Sequence, residues 1–143
     1  FDIPDDLGEV MADKGQLSQV IQNLAINAEQ AMPTGGVVRF AARRIEVGEE
    51  SALQIPAGTY VQLSVADTGV GIPRMFRERV FDPYFSTKQK GSGLGLAIVY
   101  SIVKKHGGTV VLDSEEGSGS SFHVYLPAVG EKRKKKITRR ERP

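Results

Sequence analysis

From Asp13 to Met32 the apolar positions recur at helical spacing, without proline and with one glycine near the start, until Pro33-Thr34-Gly35-Gly36 closes the segment. The pattern predicts a helix. On a wheel of about 100° per residue with Asn23 as origin, Asn27 falls near ~40°, and Val20, Ala31, Leu24, Leu17, Ala28 and Ile21 fall between about 60° and 160°. Two carboxamides one turn apart therefore share a flank of the buried stripe. Two β-rich runs follow, Val37 to Val47 and Thr59 to Ala66, joined by a polar connection containing Gly48-Glu49-Glu50. In the second run Val61, Leu63 and Val65 alternate with Gln62 and Ser64, which predicts one buried face, and Asp67 continues the apolar parity.

Residues 72–92 break the pattern with Pro73, Pro83 and four aromatics, Phe76, Phe81, Tyr84 and Phe85. They read as a long mobile loop with a short helix over 74–80. Helical periodicity returns from Leu94 to His106, with Leu96, Val99, Ile102 and Val103 as the stripe and Gly107-Gly108 as the stop. Strands over 109–114 and 121–126 flank the turn Glu116-Gly117-Ser118-Gly119. Helices and strands come in blocks without strict βαβ alternation, so the expected class is α+β: a two-layer α/β sandwich whose mixed, mostly antiparallel sheet carries helices on one face.

A chain of 143 residues suffices for one core. The absence of cysteine excludes disulfides, thiolate catalysis and thiolate-held zinc, and His106 and His123 alone cannot build a histidine metal site, so any metal would be oxygen-bound. Residues 128–143 hold eight Lys/Arg against two Glu, so the formal +2 of the whole chain conceals −4 on residues 1–127. The boundary predicts an acidic domain over 1–127 and a basic, solvated tail or linker over 128–143, with no nucleic acid expected as partner. No apolar run approaches bilayer-spanning length and no secretory pattern opens the sequence, which gives a cytoplasmic expectation.

Four clusters carry candidate chemistry. Asn23 and Asn27 offer neutral oxygens to a hard cation such as Mg²⁺, although such a pair is often plain polar surface. Asp67-Thr68-Gly69-Val70-Gly71 places a carboxylate on the buried side of a strand end, ahead of glycines that permit close backbone approach; its partner is an exocyclic amine, a protein donor or a turn. Arg79-Val80-Phe81-Asp82-Pro83-Tyr84-Phe85-Ser86-Thr87-Lys88 sets two apolar anchors in a polar loop, able to clip a lid to the body, and Lys88 could reach an anionic ligand. Gly91-Ser92-Gly93-Leu94-Gly95-Leu96 runs straight into a helix, so unencumbered backbone N–H groups and the helix N-terminus can face phosphate oxygens. It lacks the Gly-Lys-Ser/Thr of a P-loop, and Leu96 replaces the third glycine of a dinucleotide fingerprint.

In order and spacing the clusters resemble the catalytic and ATP-binding domain of bacterial sensor histidine kinases, in the GHKL superfamily with gyrase, Hsp90 and MutL. Gln19 to Ala28 is similar to the N box, Asp67 to Gly71 to the first glycine box, Phe81 to Phe85 to the F box, and Gly91 to Leu96 to the second glycine box. Gly119-Ser120-Ser121-Phe122-His123-Val124-Tyr125-Leu126-Pro127 extends the likeness to the tail. The lid and the His106-Gly107-Gly108 helix end look most like the nitrogen-regulation and hybrid types.

The resemblance implies the Bergerat fold with a mobile ATP lid, and ATP with Mg²⁺ as cofactors. It implies Asn27 as metal ligand assisted by Asn23, and Asp67 as acceptor of the adenine amine. Gly69 and Gly71 would lie beside base and ribose, and Ser120 would stand where a Thr hydroxyl usually approaches the adenine. Gly91, Gly93, Leu94, Gly95 and Leu96 would hold phosphates, with Lys88 on the terminal ones and Gln30 in place of a common Lys. Related ATPases carry a water-activating Glu where Asn23 stands, and an amide cannot act as that base, so slow hydrolysis is expected. Neither histidine has an acidic neighbour followed by helical sequence; His106 reads as a helix-end cation and His123 as a strand surface residue. The phosphoacceptor would lie on a separate dimerisation domain, with a response regulator receiver as indirect partner. The isolated domain would be monomeric, and the parent could be anchored in the inner membrane. Two other readings stay open: a docking module that binds nucleotide without transferring phosphate, and an aspartic protease of the Asp-Thr-Gly type.

Overall fold

The computed structural model describes Val10, residues 12–85 and residues 94–128. Helix α1 (Lys14–Gln30) starts at Asp13, whose side chain accepts the amide proton of Gln16, and ends at Ala31. Strands β1 (Val38–Val47) and β2 (Gly58–Asp67) follow, then a single 3₁₀ turn over Arg74–Phe76 where a helix over 74–80 is expected from sequence. Helix α2 (Gly95–Lys105), β3 (Thr109–Glu115) and β4 (Gly119–Pro127) complete the order. The four strands form one sheet in the order β1-β2-β4-β3, and every ladder among them is antiparallel.

Both helices lie on one sheet face, which makes the expected two-layer α+β sandwich. The core between the layers joins Val20, Leu24 and Ala28 of α1, Val99, Ile102 and Val103 of α2, Val65 of β2, Val110 of β3, and Phe122, Val124 and Leu126 of β4. The wheel drawn from sequence matches this stripe except at its margin, where Ile21 stays 40% exposed. The helix layer is tied at one end by His106, just past α2: its Nε2 accepts the Asp13 amide proton at 3.1 Å while Nδ1 lies 2.8 Å from the Ile102 carbonyl. His106, expected from sequence only to close a helix, thus also joins the start of α1 to the end of α2.

The opposite face departs from the expected one-sided burial. Gln62 is buried, as are Tyr60 and Tyr125, because Leu53 and Ile55 from the β1–β2 connection pack with Val47, Tyr60 and Tyr125 into a second cluster. The connection is thus not simply polar. Arg43 Nε donates to Gln62 Oε1 and Gln62 Nε2 donates to the Tyr125 hydroxyl, both at 2.8 Å, so the buried amide uses both ends. Beside this row His123 Nδ1 lies 2.7 Å from Ser64 Oγ, and His123 is half-buried rather than a free surface residue.

Burial pushes the His123 imidazole below its ordinary value of 6.5; nearby Asp113 pulls it up and Arg43 pushes it down. Between that ordinary value and the depressed folded one, the unfolded chain binds more protons, so acid lowers stability in this window and the full contribution is present above it. The urea midpoint should fall from pH 7 towards pH 5, and His123→Gln should flatten the slope; parallel slopes for the two proteins would rule this out.

Candidate functional site

The register of the sheet assembles a polar row at one end of the helix-facing side. Asp67 of β2 pairs with Ser120 of β4, and Ser120 pairs with Ser114 of β3, so three polar side chains stand where the core would otherwise continue. Asp67 is 7%, Ser120 5% and Ser114 7% exposed. Ser114 Oγ lies 2.8 Å from Ser120 Oγ and 3.1 Å from the Gly119 carbonyl, and it accepts the Ile72 amide proton at 2.8 Å. Asp67 Oδ1 accepts the Gly69 amide proton at 2.9 Å, while among the described residues no donor meets Oδ2. A buried carboxylate oxygen without a donor is costly unless something else supplies a proton.

The loop after Asp67 is wedged between the end of α1 and the β3–β4 turn. Val70 donates its amide proton to the Ala31 carbonyl at 3.0 Å, and the Val70 carbonyl accepts from Gly117 at 2.7 Å. A Cβ on Gly69 would run into the Ala31 carbonyl, and one on Gly71, whose φ is +75°, into the Glu115 carbonyl. These two glycines are dictated here by backbone packing.

One turn before Ala31 stands Asn27, buried at 9% exposure, and one turn further back Asn23 Nδ2 donates to the Gly95 carbonyl at 3.2 Å. Asn23 therefore ties α1 to the first residue of α2, and a Cβ on Gly95 would meet open space. Leu94 caps α2 and Leu96 packs partly buried against the main core. The structure thus strings Gly95, Asn23, Asn27, Gly69, Asp67 and Ser120 along one continuous path. Lys88, Gly91 and Gly93, the remaining residues expected at the site, lie outside the described residues, as does the part of the expected lid beyond Phe85.

Of the two expected anchors, Phe81 serves as a clip to the body. Its ring sits 6.0 Å from Phe122 in edge contact and 5.5 Å from Tyr100 of α2. Phe85 differs: it packs on Phe76 at 5.6 Å with the Arg79 guanidinium 4.6 Å above its ring, closing the segment on itself. Tyr84 between them is 75% exposed with φ +66°. Ser114 was not singled out from sequence, although its parity with Val110 and Leu112 on a strand was a signal that it faces the core.

The profile of the family described as histidine kinase-, DNA gyrase B- and HSP90-like ATPase matches residues 12–130. The chain belongs to this family, and the fold described above is that of the ATPase domain of sensor histidine kinases. Sensor kinase CckA of Brucella abortus is 44% identical over 134 residues, covering 90% of this chain and 14% of its own length. Sensor histidine kinase ZraS of Escherichia coli K12 is 42% identical over 127 residues, covering 89% of this chain and 25% of its own length. The chain thus spans a quarter or less of these two relatives. Among solved structures, the mycobacterial sensor histidine kinase MprB superposes with a TM-score of 0.71 at 31% identity, covering 90% of this chain and 80% of that one. Full-length ShkA in complex with AMPPNP gives 0.73 at 34% identity, covering 90% of this chain and 25% of that one.

Gly69→Ala tests the wedge directly. Overpacking against a backbone carbonyl is expected to cost about 1–3 kcal/mol in urea unfolding, and stability equal to the parent would refute the close approach.

Proposed function

We propose that this domain binds Mg-ATP in the angle between the end of β2, the last turns of α1 and the start of α2, and passes the γ-phosphate to a histidine on a separate dimerisation domain. The buried Asp67 carboxylate carries the reading, because Oδ2 has no protein donor among the described residues and suits an exocyclic amine. Asn23 and Asn27 stand one turn apart on α1, and the room beside the Gly95 Cα among the described residues suits phosphate oxygens at a helix N-terminus. The nucleotide-bound relative ShkA, which takes AMPPNP, supports the same ligand class.

The donor set also fits a hard cation that arrives with its nucleotide. Among the described residues no three His, Cys, Asp or Glu come together. Amide oxygens from Asn27, with Asn23 assisting, would complete a Mg²⁺ shell made largely of phosphate oxygens and water. Bound there, the ion would neutralise charge on the transferred group. Lys88 would act on the terminal phosphates, with Gly91, Gly93 and the amides around Leu94, Gly95 and Leu96 holding the others. Gly69 and Gly71 would shape the wall beside the base, and Ser120 would lie at its edge.

The chain's own residues divide the work of transfer. Asp67 orients the base, the amide pair places the metal, and the phosphoacceptor histidine with a response regulator beyond it lies on other domains. Since Asn23 spends its amide on the Gly95 carbonyl and has no basic atom, it cannot activate water, so hydrolysis by the isolated domain is expected to be slow. Among the described residues no helix is long and apolar enough to cross a membrane.

Asp67→Asn retains an acceptor for Gly69 but turns the other oxygen into a donor facing the amine. Titration calorimetry with Mg-ATP should show affinity falling about 10- to 150-fold, the equivalent of roughly 1.5–3 kcal/mol. Asn27→Ala should instead remove most of the Mg²⁺ dependence of binding. Parental affinity and Mg²⁺ dependence in both variants would sink the assignment.

A further inference from the structure

We infer that Ser114 is a positioning residue for base recognition, holding Ser120 as a proton acceptor towards the site and fixing the loop after Asp67 at Ile72. The inference rests on the nucleotide reading above and adds a residue that acts through Ser120.

The argument is a count of protons. A serine hydroxyl has one proton to give and two lone pairs to receive with. Ser114 Oγ receives the Ile72 amide proton at 2.8 Å, and its own proton goes to the Gly119 carbonyl at 3.1 Å. The remaining contact, 2.8 Å to Ser120 Oγ, then has to be filled by the Ser120 proton. With that proton committed, Ser120 has only lone pairs left to offer. Its neighbour across the ladder is Asp67, which as a carboxylate also only accepts.

The end of the sheet therefore presents two adjacent acceptors, the Asp67 Oδ2 atom and the Ser120 hydroxyl oxygen. Such a floor takes an N–H donor and leaves acceptors unpaired beneath a base that lacks one. Sites built around a hydrogen-bonding substrate group discriminate strongly against analogues without it. Neither Ser114 nor Ser120 is exposed enough for bulk water to erase the ordering. Without the Ser114 hydroxyl, Ser120 can rotate and give its proton to Asp67, which occupies the carboxylate acceptor that the base would use. The same loss frees the Ile72 amide, the only one of these contacts that holds the loop from the β3 side by a side chain.

The test compares Mg-ATP with the Mg complex of purine ribonucleoside triphosphate, which differs from ATP only in lacking the 6-amino group. Calorimetry on the parent, Ser114→Ala, Ser120→Ala and the double variant gives the affinity ratio for each. The ratio should narrow about fivefold or more in Ser114→Ala and to a similar extent in Ser120→Ala, with the double variant adding little, as expected for residues acting as a unit. Equal weakening towards both triphosphates in Ser114→Ala, leaving the ratio at the parental value, means a merely structural role and overturns the inference. Ser114→Cys keeps the shape and weakens the hydrogen bonds, and should narrow the ratio in the same direction; it decides the matter if the alanine variant does not fold. A parent that binds neither triphosphate defeats the nucleotide reading itself, an outcome distinct from an unaltered ratio.

Discussion

Burying a carboxylate at the end of β2 is the constraint around which the rest is arranged. Asp67 occupies a position that strand parity assigns to the core, and a buried charge has to be met by donors or it destabilises the fold. Gly69 meets one oxygen through a turn so tight that its missing side chain is a requirement. That turn can be held only if something receives the amides beyond it, and the Ala31 carbonyl at the end of α1 and the Ser114 hydroxyl on β3 do so. The position of α1, and with it of Asn23 and Asn27, is in this way coupled to the geometry around a single carboxylate.

The helix layer transmits the same geometry to α2. Asn23 reaches the Gly95 carbonyl at one end of that helix, and His106 reaches Asp13 from just beyond the other. Two polar ties and a shared apolar core fix the start of α2 relative to the amide pair. The Phe81 ring adds a third attachment, joining the segment after the 3₁₀ turn to Phe122 and Tyr100. Residues far apart in sequence thus hold each other through short contacts, each of a kind that backbone geometry alone would not enforce.

Much of this was readable before any coordinates. Helical spacing located α1 and α2, and alternation in β2 marked Asp67 as inward-facing, because periodicity reports burial directly. The candidate site was legible where a side chain's chemistry is unusual for its place, as with a carboxylate on an apolar parity. What stayed hidden depends on register and on long-range closure. Ser114 shares its row with Ser120 only once β3 and β4 are aligned. Gln62 looked like a solvent-facing alternation partner, yet Leu53 and Ile55 fold back over that face, and nothing local announces such a return. The tie from His106 to Asp13 stayed hidden likewise, since the two lie 93 residues apart.

The order β1-β2-β4-β3 leaves β1 as an outer strand among the described residues. That strand carries Arg39, Arg43 and Arg44 within six positions. A foreign strand aligning along it would be set against guanidinium groups, and a second copy of the same strand would bring cation against cation. Like charge opposes templated growth of the ladder from this side, so the margin of the sheet carries its own safeguard against uncontrolled self-association.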